Sequence, residues 1–231
     1  FEKAIEGIRN CREAGIKVGL RFTVNKHNLA DVPDMFDLMR QEKIERMCFY
    51  HLVYTGRGSK LREEDLTHDE SRRLLDLIAD KTKEMFDDGL APEILTVDNH
   101  ADGPYLYLKM KSKDPARAAE ILELLEMNEG NSTGVGIGCV SWDGEVYPDQ
   151  FWRNRPLGNV RNRPFSEIWT DGKNEFLMKL KDKKKHVTGR CASCVWLSVC
   201  GGNFRARAEA AGDVWGEDPA CYLTDQEISG K

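Results

Sequence analysis

Four cysteines near the C-terminus carry the most specific chemistry in this 231-residue sequence, in the pattern Cys191-x2-Cys194-x5-Cys200-x20-Cys221. Thiolates this close together bind soft metal centres, either a zinc ion or an iron–sulfur cluster. Zinc ribbons favour two CxxC knuckles at wider separation, and this chain has one. A spacing of two and then five spreads three ligands around a larger object, with Cys221 returning as the fourth. The spacing therefore predicts an iron–sulfur cluster, with zinc as the alternative. The usual reading of a cysteine as a small buried hydrophobe suits Cys11 and Cys48, which sit in apolar patterns, while Cys139 stands alone in a Gly-rich stretch. Seven cysteines without a secretion signal make a disulfide framework a poor fit, and the expected setting is the cytoplasm.

Such a site needs elements to hold it. Residues 1–130 alternate helix and strand. The first helical pattern (Phe1, Ala4, Ile5, Ile8, Cys11) ends at Gly15, and a strand follows with Leu20 and Phe22 on one face and Arg21 on the other. Asp31 is the expected cap of a second helix, and MCFYHLVY (47–54) reads as a strand buried on both faces. The Thr67-x-x-Glu70 capping box opens a long helix stopped by Gly89. A strand at Ile94–Val97 and a helix after Pro115 complete this half. The pattern is α/β, with βα units on a parallel sheet or barrel sector, and three strands are too few for a closed barrel of eight. Because the chain opens inside a helical pattern and without Met, it is expected to be part of a longer polypeptide.

NEGNSTGVGIG (128–138) is the expected boundary. VSWDGEVYP (140–148) then reads as a hairpin turning at Asp143-Gly144, and helix resumes at Pro164-Phe165-Ser166-Glu167. The last forty residues show little periodicity, so a metal rather than a core is expected to organise them. Charge and hydropathy exclude other classes. With 34 basic and 39 acidic residues the net charge is −5, and KDKKKH (181–186) is the one dense basic run, so no nucleic-acid partner is expected. No apolar stretch approaches the roughly 18 residues of a membrane span.

CASCVWLSVCGGNFRARA and DPACYLT resemble the C-terminal SPASM-type auxiliary-cluster domain of radical S-adenosylmethionine (SAM) enzymes. VYPDQFW, LGNV, PFSEIW and WGEDPACYLT resemble the branch acting on siroheme-derived tetrapyrroles, the haem d1 (NirJ) and didecarboxysiroheme deacetylase (AhbC) group. The resemblance implies a partial TIM-barrel sector over 1–130, followed by a small α+β SPASM-type iron–sulfur domain over 131–231. It also implies one auxiliary [4Fe–4S] cluster on Cys191, Cys194, Cys200 and Cys221. Fully equipped SPASM domains place further cysteines where this chain has Phe204 and Asp149, which puts a second auxiliary cluster in doubt. Cys139 is then read as a packed thiol, or as an alternative fourth ligand.

Radical SAM chemistry requires a CxxxCxxC loop, and these 231 residues contain none. SAM and a second [4Fe–4S] cluster are therefore expected in a full-length parent, and this chain alone is expected to be inactive. The implied activity is removal of acetate or propionate side chains from an iron tetrapyrrole, with an electron donor as partner. A peptide-modifying SPASM maturase, or a non-catalytic iron–sulfur or zinc interaction domain, is the alternative.

Parallel sheets place ligands at their strands' C-terminal ends. Arg21, Asn25 and His51 are thus candidate SAM contacts, although a structural ion pair for Arg21 and a hydrogen-bonded core position for His51 compete. Asp98 and His100 are candidate substrate contacts within a stretch that a plain turn also explains. Phe151 and Trp152 could stack on a flat macrocycle. Arg153, with Arg155, Arg161, Arg163, Arg205 and Arg207, could meet its carboxylates, against the alternative of a solvated basic surface.

Overall fold

The computed structural model describes residues 1–230. They form two compact units, one of Phe1–Leu52 with Leu61–Asn99, the other of Val53–Lys60 with the chain from His100 onward. The first contains α1 (Glu2–Glu13), β1 (Gly19–Thr23), α2 (Val32–Glu42), β2 (Arg46–Tyr50), α3 (His68–Asp87) and β3 (Glu93–Val97). Its strands are parallel in the order β1-β2-β3, with Leu20 opposite Met47 and Met47 opposite Ile94. Period-2 alternation puts Leu20, Phe22, Met47 and Phe49 on the helix-covered face, where Phe36, Met39, Leu74 and Ile78 close the core. Phe36 stacks on Phe49 at 5.4 Å. The same register aligns Arg21, Cys48 and Leu95 on the opposite face, which lines an open cleft.

The capping box forms as expected: the Glu70 N–H donates to Thr67 Oγ1 at 3.2 Å, and the Thr67 N–H donates to Glu70 Oε2 at 2.8 Å. Asp31 differs. It ends a 3-10 turn (Leu29–Asp31) in helical conformation and makes no side-chain cap bond, so Pro33 in the first turn sets the start of α2. β2 is also shorter than expected. It ends at Tyr50, and after the His51 N–H donates to the Val97 carbonyl the chain leaves the sheet.

The second unit contains α4 (Asp102–Lys111), α5 (Pro115–Asn128), β4 (Cys139–Val140), β5 (Glu145–Tyr147), β6 (Gly158–Asn159), α6 (Phe165–Trp169) and α7 (Glu175–Lys181). Four short helices follow: α8 (Gly189–Ala192), α9 (Leu197–Cys200), α10 (Arg205–Ala210) and α11 (Asp225–Ser229). The expected hairpin forms between β4 and β5, and β6, absent from the sequence reading, extends it as a third antiparallel strand. α4 is a second unanticipated element. It packs with α5, and both meet α9, which groups residues 100–130 with this unit and not with the chain before them. The tail is better packed than its weak periodicity implies: Val199, Phe204, Ala206, Tyr222, Leu223 and Ile228 are all buried. Among the described residues no helix is long and apolar enough to cross a membrane.

Candidate metal centre

The two tight spacings put Cys191 on α8, Cys194 just beyond it and Cys200 at the end of α9, while Cys221 arrives from the segment before α11. All four thiols line one cavity, with Trp196, Leu197, Leu223 and Ile228 among the apolar walls. Those walls remove water and so disfavour thiolate. Burial pushes the Cys200 thiol up to about 11 and that of Cys221 up to about 12, and neighbouring thiols add to both shifts. Cys194 is raised for the same first reason. In the metal-free protein these sulfurs hold their protons, and a metal centre must displace them. Among the described residues no three His, Cys, Asp or Glu side chains are grouped as ligands of one metal ion. Four thiols lining one cavity are a donor set that an iron–sulfur cluster can take.

Backbone geometry fixes Cys200. After it, Gly201, Gly202 and Asn203 all take positive φ (63°, 81° and 55°). A Cβ on Gly201 would stand 2.9 Å from the Asn131 nitrogen, and one on Gly130, itself at φ 69°, would run into the Cys200 carbonyl. The two strands of chain approach so closely that the Asn131 N–H donates to the Cys200 carbonyl at 3.1 Å. Asn203 lines the cavity and accepts the His100 N–H on Oδ1 at 2.9 Å.

Cys221 is held by a different device. Three residues before it, the Asp218 carboxylate pairs with Arg207, both side chains being 0% exposed. Arg207 Nε donates to Asp218 Oδ1 at 2.9 Å and Nη2 to Oδ2 at 2.9 Å. Asp218 also accepts the N–H groups of Phe204 (3.0 Å) and Ala220 (2.9 Å). Its lone pairs are thus filled, as a buried charge requires, and the cysteine loop is tied to α10. Sequence reasoning missed this pair; the signal available was the lone acid in DPAC and the paired arginines of FRARA.

Comparison with known proteins follows this geometry. SPASM, an iron–sulfur cluster-binding domain, matches residues 136–195, which include Cys191 and Cys194. The chain is 60% identical over 232 residues to Fe-coproporphyrin III synthase of Methanosarcina barkeri, an alignment covering 99% of this chain and 58% of that protein. Residues 136–195 thus carry a SPASM iron–sulfur cluster-binding domain. It is also 41% identical to pre-heme d1 synthase of Dinoroseobacter shibae, over 98% of this chain and 57% of that one. The chain therefore spans less than three fifths of either relative's length. The crystal structure of Streptococcus suis SuiB shares the fold, with TM-score 0.69 at 17% identity, over 96% of this chain and 50% of that one. The matched domain is one that binds an iron–sulfur cluster, and a further structure of the same fold, native anSMEcpe (TM-score 0.61, 18% identity, over 91% of this chain and 53% of that one), was solved with bound AdoMet.

The positions where fuller SPASM domains carry extra thiols are occupied otherwise. Asp149 is buried, which raises its pKa, and it accepts the Thr133 hydroxyl at 2.5 Å and the Phe151 N–H at 2.7 Å. Phe204 stacks on the His100 ring, with centroids 5.8 Å apart. Cys139 packs against the cluster of Tyr147, Trp152 and Phe204 and does not line the four-thiol cavity.

Several expected tetrapyrrole contacts need correction. Trp152 is 1% exposed and packs on Phe176, so neither ring face is open to a macrocycle. Arg207 is consumed by Asp218, and Arg205, equally buried, donates to the carbonyls of Gly202, Val214 and Gly216. Arg155 pairs with Glu209, Arg163 with Asp171, and Arg161 donates to the Trp142 carbonyl. Arg153 is exposed and lies over the Trp142 ring at 4.3 Å. Phe151 is half-buried, edge-on to Phe204. Burial lowers the His100 pKa to about 4, so its imidazole is neutral.

In the first unit, Arg21 lies exposed over the Tyr50 ring at 5.5 Å on the open sheet face. Asn25 Oδ1 accepts the His27 N–H at 2.9 Å, which commits that oxygen to its own loop. His51 is buried where β2 ends. Asp98 follows β3 with φ 70°.

Proposed function

We propose that this chain serves a radical SAM enzyme of haem or haem d1 biosynthesis that removes carboxylate side chains from a siroheme-derived iron tetrapyrrole. One observation carries the reading: a four-thiol cavity lies in a chain 60% identical, over 99% of its length, to a protein named Fe-coproporphyrin III synthase. Cys191, Cys194, Cys200 and Cys221 hold an auxiliary [4Fe–4S] cluster, which supplies one-electron transfer at low potential when bound. This chain's residues set that cluster's surroundings: apolar walls exclude water, Asn131 and the glycines fix Cys200, and Asp218 fixes Cys221. An external electron donor is the implied partner.

Arg153 and Phe151 are the second unit's proposed substrate contacts, one meeting carboxylates and the other a flat ring; His100 reaches that surface through Phe204. Arg21, Asn25 and His51 are the proposed SAM-side contacts in the first unit, with Asp98 on the substrate side. Without a CxxxCxxC loop, the 231 residues by themselves do not cleave SAM.

The test pairs binding with turnover. Titration of the anaerobically reconstituted chain with a siroheme-derived tetrapyrrole should shift its Soret band, and the carboxyl-esterified form should not do so. Incubation with dithionite and SAM should give no 5′-deoxyadenosine above a no-protein control. Equal binding of the ester, or clear SAM cleavage, contradicts the proposal.

A further inference from the structure

Trp142 is 80% exposed, whereas the chain's other four tryptophans are buried or half-buried. It stands in the turn that joins β4 to β5. There the Gly144 N–H donates to the Ser141 carbonyl at 2.9 Å, which makes Trp142 and Asp143 the two central residues. The turn is set by Asp143 and by Gly144 at φ 90°, and nothing in it needs an indole. Two guanidinium groups meet at this residue. Arg153, from the segment after β5, lies over the ring at 4.3 Å and is itself exposed. Arg161, two residues after β6, crosses Gly144, where a Cβ would stand 3.2 Å from its Cγ. Its Nη2 donates to the Trp142 carbonyl at 3.3 Å. The neighbouring arginines are engaged by carboxylates, Arg155 by Glu209 and Arg163 by Asp171. The acids of the hairpin are held within it: Asp143 accepts the Ser141 hydroxyl and the Glu145 N–H, and Glu145 Oε1 accepts from Asn159 Nδ2 at 3.0 Å.

Arg153 covers one face of the ring, and the exposure leaves the other face open to a ligand. An indole face beside two guanidinium forks fits a molecule that is flat and carries several carboxylates. The flat ring stacks, and each fork takes a carboxylate by paired N–H donation. We propose that Trp142, with Arg153 and Arg161, is the second unit's stacking subsite for the carboxylate-bearing tetrapyrrole, the role that burial denies to Trp152. The inference rests on the substrate class proposed above and adds to it the residue that meets the macrocycle. Binding at this subsite is non-covalent, and no electron or proton moves.

The experiment titrates the anaerobically reconstituted full chain with siroheme, followed at the Soret band, in wild type, Trp142→Ala, Trp142→Phe, Arg161→Gln and Lys179→Gln. Trp142→Ala should bind about tenfold more weakly, and Trp142→Phe within about threefold of wild type, since a phenyl ring keeps a stacking face. Arg161→Gln should weaken binding more than Lys179→Gln, which removes the same charge from an exposed position on α7. Both Trp142 variants should melt at the wild-type temperature, because the ring stands in water. Trp142→Ala that binds siroheme as tightly as wild type overturns the inference alone and leaves the substrate class standing. Equal losses in Arg161→Gln and Lys179→Gln also overturn it, because the attraction is then one of net charge. So does a Trp142→Ala variant that melts well below wild type, since the ring is then part of the scaffold. Wild type that binds no siroheme overturns the substrate class and this inference together.

Discussion

Asp218→Ala is the perturbation that most sharply separates scaffold from ligands. It removes the carboxylate that pairs with the Arg207 guanidinium, itself 0% exposed. Removing one partner of a buried pair costs about 3–5 kcal/mol, because the remaining charge stays desolvated. The same substitution removes the carboxylate that accepts the N–H groups of Phe204 and Ala220, which adds to that cost. At about 1.4 kcal/mol per factor of ten, amide protection around 197–225 should fall by roughly two to three and a half orders of magnitude. Hydrogen exchange read by mass spectrometry on the metal-free protein measures this segment by segment. The double variant Arg207→Met/Asp218→Leu provides the control. An apolar pair restores much of the lost stability but cannot accept the two N–H groups, so iron loading should stay low while protection recovers. A loss of protection under about tenfold in Asp218→Ala would refute the claim that this pair holds the Cys221 loop.

Two further outcomes follow from the same structure. His100 has a folded-state pKa of about 4 against an ordinary value near 6.5, so the unfolded chain binds a proton that the folded chain does not. Stability of the second unit should fall as pH drops from about 6.5 to 4, by up to about 3 kcal/mol, and His100→Gln should flatten urea midpoints across that window; an unchanged slope counts against the burial argument. Gly130→Ala should lower both iron content and melting temperature, since its methyl group runs into the Cys200 carbonyl, whereas Gly7→Ala, with open space around it inside α1, should leave iron content unchanged and the melting temperature no lower than wild type.

The legible parts of the fold were those written in local pattern. The Thr67 capping box, the Asp143-Gly144 hairpin and the thiol spacing each act over a few residues and leave a mark in order and type. α4 escaped because it opens with Asp102-Gly103-Pro104 after a polar run, a composition shared by turns, although Pro in a first helical turn is well tolerated. Trp152 misled because aromatic residues flanked by arginines look like a ligand platform, while its burial depends on Phe176, which arrives from α7. The Arg207–Asp218 pair was invisible for a related reason: burial at both positions is a tertiary property, and charged residues in a loop-rich tail ordinarily face water. Lys183 was read only as part of the one dense basic run, yet it is buried in the folded chain, a tertiary property that local composition does not record.

Iron and sulfide analysis of the anaerobically reconstituted chain, beside its Cys194→Ala variant, tests the central claim most directly. The account predicts about four irons and four sulfides per wild-type chain, a signal of one reduced [4Fe–4S] cluster after dithionite, and loss of both in the variant. About eight irons per chain, stoichiometric zinc without iron, or a variant that loads iron as well as wild type would contradict it.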